Sequence, residues 1–99
     1  MNFARPATGF IMAEPASFKE LLQSHAEKWP RVTSHWEGIK DRLKMTAHRE
    51  GASIGGNPSN RVFEAEGDIA SELPTIRVAY HVLGDRLDFK ILAVLDPPT

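Results

Sequence analysis

The sequence predicts an α+β domain of order β-α-α-β-β-β, with two antiparallel helices packed on a small antiparallel sheet. Three observations carry this reading. Thr75 to Leu95 alternates apolar and polar residues in two runs around a Gly-Asp pair, as antiparallel strands joined by a tight turn do. Phe18 to Trp29 and Val32 to Leu43 each place apolar side chains at helical spacing. The chain has 99 residues, 41% hydrophobic and 25% charged, which suits a single domain over 1–99 with a real core.

Met1 to Thr8 has no period and contains Pro6, so it reads as a loose arm. Phe10 to Ala13 is a short apolar run with the length of a small strand. Ser17 and Glu20 have the spacing of a capping box, and Phe18, Leu21, Leu22, His25, Ala26 and Trp29 follow on one helical face. Pro30 closes that helix, because the residue before a proline is driven out of the α region. The second helix begins near Thr33 or Ser34, with Ser34 and Glu37 as a second capping box. Its stripe is Val32, Trp36, Ile39 and Leu43, extended by Ala47. Gly38 interrupts it with a small residue that suits close approach to a neighbouring element.

Gly51 to Asn60 is rich in turn formers and reads as a loop. Arg61 to Glu66 is a strand with Phe63 and Ala65 on one side, and Gly67 to Pro74 is an acidic connection. The hairpin follows. With Gly84-Asp85 as a two-residue loop, the expected partners are Val82 with Leu87, Tyr80 with Phe89, Val78 with Ile91 and Ile76 with Ala93. His81 then faces Asp88 on the other side, which also carries Arg77, Ala79, Lys90 and Leu92. Asp96-Pro97-Pro98 ends the last strand. The helices should cover the face of Ile76, Val78, Tyr80 and Val82, with Phe18, Leu22, Trp36, Ile39 and Leu43 in the core.

Composition excludes several classes of function. There is no cysteine, so a disulfide scaffold and a thiolate metal site are both impossible. No apolar run approaches the roughly 18 residues of a membrane span, and the N-terminus lacks the order of a signal peptide. A cytoplasmic location without a membrane partner is therefore expected. The formal net charge is −1, which gives no long-range attraction for nucleic acid. Charge is uneven along the chain: Lys40 to Arg61 is basic, and Glu64, Glu66, Asp68 and Glu72 follow without a base.

Chemistry-bearing residues are few. His81 and Asp88 read either as an acid/base pair, with the carboxylate orienting the imidazole, or as a polar cross-strand pair that only stabilises the sheet. His25 sits on a helix stripe, and His35 and His48 are too far apart for a metal cluster, so no metal or other cofactor is expected. Trp29 and Trp36 are core residues by spacing. The glycines of Gly51 to Gly56 lack the Lys-Ser/Thr ending of a phosphate-cradling loop.

Assembled in order, the chain resembles the RelE/ParE toxin superfamily of bacterial toxin–antitoxin and plasmid-stabilisation modules. The matching pieces are Phe10 to Ala13, Phe18-x-x-Leu21-Leu22, Trp29-Pro30, Trp36-x-x-Ile39-x-x-x-Leu43 and the glycine-bearing loop. The strand Ile76-Arg77-Val78-Ala79-Tyr80-His81-Val82 is similar to the family's R-[VIL]-x-Y-x-[VIL] strand, and it continues through Gly84-Asp85 into an apolar last strand. The resemblance implies a cognate antitoxin as partner, and one of two activities. RelE-like members are endoribonucleases that cut messenger RNA on the ribosome with basic residues of the central strands. ParE-like members poison DNA gyrase without an accepted catalytic constellation.

Under the first activity Arg61, Arg77, Tyr80 and His81 are the catalytic candidates, with Arg77 and His81 converging on one phosphate. Guanidinium groups suit that role, since they hold phosphate oxygens bidentately and stay charged. Two departures favour a non-catalytic binding protein instead. Glu64 and Glu66 stand on the strand where the RNases carry basic residues, and the chain ends at Asp96-Pro97-Pro98-Thr99 without a basic segment.

Overall fold

The computed structural model describes residues 9–98, so the expected arm at Met1 to Thr8 lies outside the described residues. The architecture is α+β. Strand β1 (Ile11–Ala13) leads into helices α1 (Ser17–His25) and α2 (Val32–Thr46). Strands β2 (Ala52–Ile54), β3 (Asn57–Ala65), β4 (Thr75–Leu83) and β5 (Arg86–Leu95) follow, with a 3-10 turn at Ile69–Ser71 between β3 and β4. One five-stranded sheet has the order β1-β5-β4-β3-β2. It is mixed, not antiparallel as the sequence suggests, because β1 pairs parallel with β5 at Ile11–Arg86, Met12–Leu87 and Ala13–Asp88.

The expected loop at Gly51 to Asn60 is a second hairpin. Its strands β2 and β3 meet around Gly55-Gly56, and β3 starts four residues earlier than Arg61. Only Gly55-Gly56 form the turn; Asn57, Pro58, Ser59 and Asn60 already belong to β3, and Pro58 is tolerated because it lies near the tip of the hairpin.

Both helices start differently from their expected capping boxes. Ser17 is already helical, after Ala16, and neither helix has a side-chain cap. Phe18 N–H instead donates to Pro15 O at 3.0 Å, and Val32 N–H to Trp29 O at 3.0 Å, so backbone turns satisfy the first donors. Ser34 is the third residue of α2, inside its first turn, and its hydroxyl donates to Arg31 O. Helix α1 stops at His25, short of Trp29. Ala26 N–H reaches back only to Gln23 O, and the tightened turn that follows lets Trp29 pack on the core from outside the helix. Open space surrounds the Gly38 Cβ position, so this glycine serves no close approach.

The core lies between the helices and one face of the sheet. Phe18, Leu22, Val32, Trp36, Ile39, Leu43 and Ala47 meet Phe63, Ile76, Val78, Tyr80, Val82, Leu87 and Phe89 there. Periodicity alone places nearly all of these residues correctly. Leu43 is fully buried, and Leu43→Ala should cost about 2–5 kcal/mol in urea unfolding, the usual result for a buried leucine. A cost below about 1 kcal/mol would remove Leu43 from the core.

The hairpin holds its expected register at the turn and then departs from it. Val82 pairs with Leu87, His81 with Asp88 and Tyr80 with Phe89. Gly84 adopts φ +60° while Asp85 keeps a negative φ, as a type II′ turn requires. Between Tyr80 and Ala79 the ladder slips: Ala79 pairs with Ile91, so Lys90 is the extra residue of a β-bulge. Val78 therefore meets Leu92, not Ile91, and Ile76 meets Val94, not Ala93. The faces exchange with the register. Leu92 is buried at 7% exposure, whereas Ile91 stands on the outer face at 66%.

Candidate functional site

The sheet divides the four candidate residues into two pairs. Arg61 is the cross-strand partner of Tyr80, and residues directly opposite share a face, so both point to the helix side. Arg77 pairs with Glu64, and His81 with Asn60, on the outer face. No single ligand reaches all four.

On the helix side, Tyr80 is 2% exposed and its hydroxyl lies 2.9 Å from Ala47 O and 3.0 Å from Glu50 O. Its one proton serves these two carbonyls at the end of α2. Burial, opposed by the Arg61 guanidinium, pushes the phenol up to about 12. At neutral pH Tyr80 is a neutral hydrogen-bond donor. Arg61 secures the same corner: Nε donates to Glu50 O at 2.7 Å, Nη1 to Pro58 O and Nη2 to Gly51 O, each at 3.2 Å. Three of its five N–H donors are thereby spent on backbone carbonyls. The pair ties the segment after α2 to the sheet.

On the outer face, Arg77 donates to Glu64 Oε1 from Nε at 2.9 Å and from Nη2 at 2.6 Å. Both partners are about half exposed, so the ion pair is worth no more than about 1 kcal/mol. An anion could still displace Glu64, but only against a carboxylate already in place. His81 Nδ1 lies 2.6 Å from Asn60 Oδ1. Asp88, the cross-strand neighbour of His81, instead accepts from Arg86 Nε at 2.7 Å. Asn60, not Asp88, orients the imidazole. Arg77 and His81 share a face, yet four residues of strand separate their Cα atoms by about 13 Å. Each side chain is turned sideways to its own partner on β3.

The sequence offers the arginines, the tyrosine and the histidine as candidates without showing what holds them. The Tyr80 and Arg61 acceptors are main-chain carbonyls, which leave no mark in a sequence. Asn60 was legible only after the β3–β4 register, which would have set it opposite His81. Among the described residues no group of three or more His, Cys, Asp or Glu side chains could hold a metal ion, and no helix is long and apolar enough to cross a membrane. Comparison with protein-family models, with curated proteins and with solved structures finds no match to this chain.

Proposed function

We propose that this chain is a toxin-like protein of RelE/ParE type that acts by binding, not by cutting RNA, and that a cognate antitoxin is its partner. The resemblance of the Ile76 to Val82 strand and of the helix stripes supports the family. One observation supports the binding mode over the endoribonuclease: each basic candidate is engaged by a neighbour that an RNA phosphate would have to replace. Arg77 is held by Glu64, and Arg61 by three carbonyls. Tyr80 lies in the core on the far side of the sheet from Arg77 and His81. Glu64 also sets a negative charge beside Arg77, where phosphate would approach. A target such as DNA gyrase, recognised by surface contact, needs none of these groups to be free.

The test is induction of the wild type and of Arg77→Ala in a bacterial host, with ribosome-bound message mapped for cuts. The expected outcome is growth arrest by both proteins without new cuts, relieved by co-expression of the neighbouring reading frame. Cuts that disappear in Arg77→Ala would establish the endoribonuclease instead. Normal growth under full induction would overturn the toxin reading itself.

A further inference from the structure

Among the described residues, β5 has a neighbour on its β1 side over only part of its length. β1 pairs with β5 at Arg86, Leu87 and Asp88, and beyond Asp88 no described strand lies on that side of β5. The uncovered stretch contains Ile91-Leu92-Ala93-Val94-Leu95, five apolar residues of mostly high β propensity without a charge or a proline. An open edge of that composition is a template for pairing with another strand. The Lys90 bulge blunts its start and Pro97-Pro98 its end, and no described strand pairs with the middle.

We infer that this edge pairs with the same edge of a second copy of the chain, antiparallel about a two-fold axis through Ala93. Three features select this partner and this register. The first is backbone direction. The II′ turn makes Leu83–Arg86 and His81–Asp88 hydrogen-bonded pairs, and the alternation resumes past the bulge at Ala79–Ile91 and Arg77–Ala93. Leu92 and Val94 therefore aim their N–H and C=O groups at the open edge. About Ala93, Leu92 of one copy meets Val94 of the other, so all of these groups are satisfied reciprocally.

The second feature is the side-chain faces. Leu92 and Val94 both face the core side, while Ile91 and Leu95 both face outward. The register joins like with like and gives the outward Ile91, 66% exposed, the apolar Leu95 of the other copy. The third feature is charge: the same register sets Lys90 of one copy beside Asp96 of the other, at both ends. Asp96 Oδ1 already accepts from Lys28, which leaves Oδ2 for the incoming lysine. There is also room. A cleft of about 490 Å³ runs along this edge between α1 and β5, with Phe18, Leu21, Ile91 and Leu92 as its apolar lining and Glu20 and Lys90 as its charged lining, and a second copy's Val94 would enter it. The product is one continuous ten-stranded sheet with a self-complementary joint.

This inference is independent of the toxin reading, because it is tested on the purified full chain in vitro. Sedimentation equilibrium over a concentration series should show a dimer for the wild type. Ala93→Lys sets two like charges against each other at the axis and should leave only monomer, with an unchanged far-UV spectrum. The reversals Lys90→Asp and Asp96→Lys should each raise the dissociation constant by about tenfold, since each changes two symmetry-related pairs. The double reversal should restore it, a recovery that a mere folding defect would not give. A wild type monomeric up to about 1 mM, the weak end of specific association, would overturn the proposal. So would a dimer that survives Ala93→Lys, which would place the joint elsewhere, for instance at the β2 edge.

Discussion

Trp36→Ala should lower the unfolding free energy by about 3–5 kcal/mol, a large share of what a domain of this size possesses. Trp36 is fully buried, and its ring stands edge-on to Phe18 at 5.8 Å and to Phe89 at 5.1 Å. One side chain thus joins α1, α2 and β5. Its Nε1 also donates to Glu14 Oε2 at 3.2 Å, while Lys40 Nζ donates to Glu14 Oε1 at 2.9 Å. Truncation removes the packing and the hydrogen bond together and opens a cavity that three separate elements cannot easily collapse. Trp36→Phe separates the contributions, because it keeps most of the apolar contact and loses the indole donor. Urea unfolding followed by circular dichroism reads both variants. A loss below about 1 kcal/mol for Trp36→Ala would show that the helices are not anchored through this ring.

Gly51→Ala should be comparably damaging, at roughly 2–6 kcal/mol, for a different reason. Gly51 has φ +69°, and a Cβ there would stand 2.2 Å from Val62 O, a backbone atom that cannot move aside alone. Left-handed strain and a collision with β3 add together. The site responds too, because Gly51 O and Glu50 O are the acceptors that hold Arg61 and Tyr80. Gly55→Ala is the control. Its φ is +62°, but nothing lies within 4 Å of a Cβ there, so it should show the strain alone, about 1–2 kcal/mol. Equal losses at the two positions would mean that the segment after α2 sits farther from β3 than the structure has it.

The sequence alone determined the type of each element, though not the end of α1, wherever a period was carried by contrast between apolar and polar residues. The α2 stripe from Val32 to Ala47 and the strand from Ile76 to Val82 both have that contrast, and the stripe residues Val32, Trp36, Ile39, Leu43 and Ala47 are buried, as are Ile76, Val78, Tyr80 and Val82. The turn at Gly84-Asp85 fixed the hairpin register as far as Tyr80 and Phe89 for a local reason, the positive φ of Gly84. Contrast vanishes at Ile91 to Leu95, where every residue is apolar and either face could be the buried one. Only packing against the helices chose Leu92 over Ile91, by way of the bulge at Lys90. The parallel pairing of β1 and the short strand β2 were likewise beyond the sequence. Three-residue strands are too short to show a period, and their partners come from elsewhere in the chain. The division of Arg61 and Tyr80 from Arg77 and His81 is a matter of face. A face exists only once β3 and β4 are in register, so tertiary structure alone could decide which candidates stand together.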